Sequence, residues 1–128
     1  MNCKFTSDRP IYLQIMECIE TEIAGGVRQP GQKMPSVREL AQSLSISPNT
    51  VQRAMYELER TGLLVSSGTG GKYIAEDTAR IAQMRRELAR RKTECFFADM
   101  YQLGYSQQEI VQQVAQYSAP EPQQTEED

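Results

Sequence analysis

Two helix starts a short distance apart constrain this chain more than any other feature. Ser36 is followed three residues on by Glu39, the spacing at which an N-cap side chain and an N3 side chain satisfy each other's free backbone N–H. Val37, Leu40, Ala41 and Leu44 give the helix begun there a buried stripe. Ser45-Ile46 allows a connection of only a few residues before Ser47-Pro48, where serine can cap and proline suits the first turn. The helix that follows turns Val51, Ala54, Met55 and Leu58 inward and meets a natural carboxyl cap at Gly62. Helix, short turn, helix is the spacing of a helix-turn-helix.

The flanking sequence completes a fold. Pro10, after Asp8-Arg9, opens a first helix with Tyr12, Ile15, Met16, Ile19 and Ile23 at three- and four-residue intervals, and Gly25-Gly26 stops it. After Gly62 the periodicity changes. Leu63-Leu64-Val65 and Lys72-Tyr73-Ile74-Ala75 read as two short strands joined by a glycine-rich turn, a hairpin placed as a wing. From Thr78 to about Leu103 the pattern is helical again, with Ile81, Met84, Leu88, Cys95, Phe96 and Met100 on one stripe, and Gly104 ends it. Ser106 and Glu109 repeat the capping box and open a last helix with Ile110, Val111, Val114 and Tyr117. The expected fold is mostly α, an α+β winged helix. Residues 1–76 form a winged helix-turn-helix, 77–117 a two-helix dimerisation region, and 118–128 an acidic tail whose composition predicts disorder.

A chain of 128 residues, 39% hydrophobic, can bury one ordinary core and a small appendage, not two enzyme-sized domains. Cys3, Cys18 and Cys95 are odd in number, widely spaced and without a C-x-x-C pair, so reduced structural thiols are expected and neither a disulfide framework nor a metal site is. No apolar run approaches the roughly 18 residues of a membrane span. No basic segment followed by an apolar run marks a leader, and a cytoplasmic location is the expectation. Histidine is absent, which removes the usual general base and the commonest metal ligand, so no catalytic residue and no cofactor is assigned.

The formal net charge of −3 opposes contact with nucleic acid, because affinity for a duplex comes largely from cations meeting phosphates. Its distribution removes the objection. Residues 1–75 carry eight basic and seven acidic side chains, 80–92 six basic and one acidic, and 94–128 seven acidic and none basic. Acid is concentrated at the carboxyl end.

In a helix-turn-helix the amino-terminal part of the second helix comes nearest the bases, which singles out Ser47, Asn49, Thr50 and Arg53. Asn can bond an adenine edge with two hydrogen bonds and Arg can do the same with guanine, while hydroxyls and free amides hold phosphate. Each residue also has a plainer reading. Ser47 and Thr50 can simply cap and fill the helix, and Arg53 can solvate its face or pair with Glu57 one turn on. Asn49 is harder to explain away, since asparagine in a first turn has poor helix propensity.

The run PGQKMPSVRELAQSLSISPNTVQRAMYELERTGLLVSSGTGGKYIA, residues 30–75, resembles the GntR-family winged helix-turn-helix, and PIYLQI, residues 10–15, extends the match to the first helix. Pro30-Gly31, Met34-Pro35-Ser36, Arg38-Glu39-Leu40-Ala41, Asn49-Thr50-Val51, Leu58-Glu59 and Gly62-Leu63 stand in the family's order and spacing. The resemblance implies that Arg38 reaches DNA, that Thr50 faces phosphate or base, and that the turn of Gly68, Thr69, Gly70 and Gly71 is a wing tip entering the minor groove. Lys72 beside it is a candidate phosphate contact. Arg38 could instead pair with a neighbouring acid, and Lys72 could be merely solvated. Many family members carry arginine where this chain has Pro48 and Gln52, so a base preference does not transfer. The short two-helix carboxyl region is similar to the YtrA-like subfamily, which implies a repressor acting on an adjacent operon, often for a transporter.

The tail carries more apolar side chains than two isolated helices hide. Leu88, Phe96, Phe97, Met100, Ile110 and Val114 are therefore the candidate dimer interface. Docking onto the chain's own winged helix is the alternative. Two helices are also too little to enclose a ligand cavity of the usual size, and no effector is assigned. The basic run Arg80, Arg85, Arg86, Arg90, Arg91 and Lys92 is either a solvated helix face or an attraction for flanking phosphates. The expected function is a sequence-specific repressor that binds a palindromic double-stranded operator as a homodimer. A winged-helix module for protein or RNA is the competing expectation.

Overall fold

The computed structural model describes residues 3–68, 70–117 and 122. In chain order the elements are α1 (Ile11–Ala24), α2 (Val37–Leu44), α3 (Pro48–Arg60), β1 (Leu64–Ser66), β2 (Lys72–Ile74), α4 (Thr78–Gln102) and α5 (Gln107–Gln116). The chain divides into two compact units, residues 1–89 and 90–128, with the division inside α4.

In the first unit α3 is the central element, packed on α1 and on α2. Ile15, Ile19 and Ile23 of α1, Leu40 and Ala41 of α2, and Val51, Ala54, Met55 and Leu58 of α3 form one buried cluster. Each large side chain so buried contributes roughly 1.5–3 kcal/mol. An eight-residue helix such as α2 is marginal alone. Its start is fixed by the Ser36–Glu39 capping box, with both hydrogen bonds present. The backbone N–H and the hydroxyl of Ser36 hold the Glu39 carboxyl below the usual glutamate range. Because the ionised form is favoured on folding, this contribution is complete above the ordinary glutamate pKa and fades as pH falls through the lowered value. Ser45, in the left-handed region at φ 55°, then turns the chain sharply into α3.

Strands β1 and β2 pair antiparallel in the register Leu64↔Ile74, Val65↔Tyr73, Ser66↔Lys72. The connection between α1 and α2 lies along the other edge of β2. Met34 donates to the Lys72 carbonyl, Ile74 to that of Gln32 and Gly31 to that of Ile74. Leu64 and Ile74 insert into the core, so the hairpin is tied to it at its base. Met84 and Leu88 belong to the same cluster. The first turns of α4 therefore pack with the winged helix, beyond residue 76, where the sequence places the end of that unit.

Two expectations are corrected here. Cys3 and Cys18 form a disulfide, their Cα atoms 6.2 Å apart, leaving Cys95 as a free, exposed thiol. The segment before α1 doubles back along the helix, with Thr6 N–H donating to Gln14 Oε1 at 2.8 Å and Gln14 Nε2 donating to the carbonyls of Thr6 and Arg9. That reversal brings together thiols whose spacing shows no motif. Leu88, placed on the interface by its position on the apolar stripe, is buried in the first unit's own core.

The second unit holds the remainder of α4 and α5. Ser106 and Glu109 form the second capping box. Ile110, a candidate interface residue by its sequence, is fully buried within its own chain and, like Leu88, is corrected to a core position, apart from the main cluster. Phe96, Phe97 and Tyr101 contact one another edge to face, with ring centroids 5.9 and 6.1 Å apart. Phe96, Met100, Leu103, Tyr105, Gln113, Val114 and Tyr117 line an open groove of about 470 Å³. It is a groove and not an enclosed cavity. No helix among the described residues is long and apolar enough to cross a membrane.

Candidate nucleic-acid interface

Helix α3 begins with Ser47 as N-cap and Pro48 in the first turn. The Ser47 hydroxyl makes no cap hydrogen bond. Ser47, Asn49, Gln52 and Arg53 are exposed and Thr50 is half-buried, while Val51, Ala54 and Met55 face the core. The helix is thus split between a face that binds the fold and a polar face that projects from it. Arg38 is also exposed and pairs with no carboxylate among the described residues. Its neighbour Glu39 is committed to the Ser36 cap.

Between α2, α3 and the wing lies a polar cleft of about 480 Å³ lined by Lys33, Ser36, Glu39, Gln52, Gly70, Gly71 and Lys72. The wing turn closes through Ser67 N–H to the Gly71 carbonyl and Gly70 N–H to the Ser67 carbonyl. Gly70 sits at φ 88°, where other residues are strained. A side-chain carbon on Gly71 would come within 3.2 Å of the Lys33 stem. Gly68 is exposed, and Thr69 lies outside the described residues.

Two cations take partners that the spacing does not suggest. Glu57 bonds Arg60 at 2.8 Å, not Arg53. The Arg53 guanidinium instead stacks on the Tyr12 ring of α1, its Cζ 3.8 Å from the centroid. Lys72 Nζ donates to Glu59 of α3 and, at 3.1 Å, to Ser66 Oγ. The Lys72 hydrogen bond, and then that of Ser66, hold the Glu59 carboxyl below the usual range. Lys72 therefore ties the wing to α3. Replacing Glu59 by Gln should release it. Weak binding to an arbitrary duplex should then strengthen, with the slope of log affinity against log salt steeper by roughly one. A salt titration checks this, and an unchanged slope would mean that Lys72 stays sequestered.

Sequence reasoning missed three residues of this surface. Gln52 lies one turn beyond Asn49 and was legible by that spacing. Lys33 reaches the cleft through its bridge to Tyr73, and Tyr12 reads as part of a core stripe.

Comparison with known proteins decides the class. The family described as "Bacterial regulatory proteins, gntR family" matches residues 11–74. The chain belongs to the GntR family. Similarity to individual GntR proteins extends past the winged helix into the tail. The uncharacterized HTH-type transcriptional regulator YhcF of Bacillus subtilis is 34% identical, with 92% of this chain and 98% of that protein covered. The HTH-type transcriptional repressor YtrA of the same organism is 31% identical, with 88% of each covered. A solved GntR family transcriptional regulator from Listeria monocytogenes superposes with a TM-score of 0.79 at 40% identity, over 89% of this chain and all of that one. The protein is thus a winged helix-turn-helix DNA-binding transcriptional regulator of YtrA-like organisation.

Proposed function

We infer that the protein is a non-enzymatic, sequence-specific repressor that occupies a palindromic operator as a homodimer, in the setting of an adjacent transporter operon. The observation that carries this reading is the split character of α3. Asn49, Gln52 and Arg53 project from a helix whose opposite side is locked into the core. Arg38, Ser47 and Thr50, with the wing glycines Gly68 and Gly70, supply the neighbouring contacts. Lys72 acts through the wing's orientation. The repressor named above supports the direction of control. The exposed apolar groove of the second unit supports a homodimer, which would present one α3 to each half-site.

Arg53→Ala and Asn49→Ala are each expected to weaken operator binding by about 1–3 kcal/mol and to relax preference at one base pair. A footprint on the DNA upstream of the protein's own gene, followed by titration of single-base variants, tests both points. Wild-type affinity and preference in both variants would refute base reading by α3.

A further inference from the structure

We propose that Tyr12 is a positioning residue for base recognition, its ring holding the Arg53 guanidinium in the orientation in which it meets a base. The proposal rests on the reading of Arg53 as a base contact.

Tyr12 is the second residue of α1 and Arg53 lies in the second turn of α3, two helices that pack on each other. With Cζ 3.8 Å from the ring centroid, the guanidinium meets the face of the ring. A cation–π contact of that kind engages the charge without using a hydrogen-bond acceptor, so the contact itself satisfies none of arginine's five N–H donors. Among the described residues the Arg53 side chain has neither an ion pair nor a hydrogen bond. Arg60, on the same helix, spends its charge on Glu57 at 2.8 Å. One arginine of α3 is therefore neutralised by a carboxylate, while the other is oriented by a ring that takes none of its donors.

The energetic consequence follows from side-chain entropy. A long, rotamer-rich side chain loses freedom when it is fixed against a base, and that cost opposes binding. An arginine already held on a ring has met most of it in the free protein. Removing the ring should weaken specific binding while leaving the sequence-independent attraction to phosphates alone, because the charge remains.

The test compares Tyr12→Leu, which keeps apolar bulk without a π face, with Tyr12→Phe, which keeps the face. Operator and arbitrary duplex are titrated with the full chain, alone and in an Arg53→Ala background. Tyr12→Leu is expected to weaken operator binding by about fivefold, with arbitrary-duplex binding unchanged, and Tyr12→Phe to behave as wild type. In the Arg53→Ala background Tyr12→Leu should add nothing. Equal loss on both duplexes, or a loss that adds to that of Arg53→Ala, would mean that Tyr12 only supports the fold. If Arg53→Ala binds normally, the base-contact reading fails and the proposal falls with it. If Arg53→Ala is impaired and Tyr12→Leu is not, the proposal alone falls. One measurement on the wild type needs no variant to fold. The Arg53 Nε–H resonance should show a ring-current shift and nitrogen relaxation typical of an ordered side chain, and the signature of a freely rotating arginine would overturn the proposal.

Discussion

Placing glutamate at both Phe96 and Met100 is expected to turn the proposed dimer into a monomer in sedimentation velocity and to lower operator affinity by about 10²–10⁴. Phe96 is 40% exposed and shares an open apolar groove with Met100, Leu103, Tyr105 and Val114. Exposed apolar surface of this kind marks an interaction site, and in the proposed dimer a second copy would offer the same surface in return. Two substitutions per protomer bring four carboxylates into that contact. An unpaired charge in a dry interface costs several kcal/mol, so four of them would oppose association strongly. The loss of affinity has a separate origin. In a dimer the second half-site is bound at the high effective concentration set by the first, and a monomer loses that advantage with its own contacts intact. Binding to an isolated half-site should therefore be unchanged. A dimeric sedimentation coefficient with both glutamates present would exclude this groove as the interface.

The second large effect is on stability. Leu58 is fully buried on the inner face of α3 among residues of the same core. Leu58→Ala should cost about 2–5 kcal/mol through lost transfer energy and the cavity left behind, a large share of the roughly 5–15 kcal/mol of a whole domain. Val65, 47% exposed on β1, makes the contrast. Its truncation should change stability by no more than about 0.5 kcal/mol. Urea denaturation reads both. Operator affinity of the Leu58→Ala protein, corrected for its folded fraction, should match wild type, because the residue lies on the side of α3 away from the polar face. A midpoint close to wild type would mean that neighbouring side chains close the cavity.

What was legible in the sequence was local. Two capping boxes, the proline in the first turn of α3 and glycines at positive φ after α3 and α4 are signals read within a few residues, and each stands where its spacing puts it. What was not legible depends on how elements cross. Periodicity says that Leu88 is buried, but not by which surface. Arg53 has Glu57 at helical spacing and yet stacks on a ring from another helix, since Glu57 is taken by Arg60. Lys72 finds Glu59 thirteen residues away because the wing folds back beside the end of α3. The pairing of Cys3 with Cys18 depends on a chain reversal that no cysteine spacing encodes. For the interface, residue chemistry pointed to α3 and the wing, and spacing alone would have added Gln52, whereas the roles of Lys33 and Tyr12 required tertiary neighbours.

Among the described residues Ile110 is the only buried side chain after Arg90. One such side chain offsets little of the conformational entropy of two helices, so in the proposed dimer the second copy would supply much of the cover that holds them. On that proposal the assembly of this unit is second order in protein. Below a threshold abundance the regulator would be half made, with a finished reading head and an unfinished coupling, and its grip on the genome would rise more steeply than its copy number.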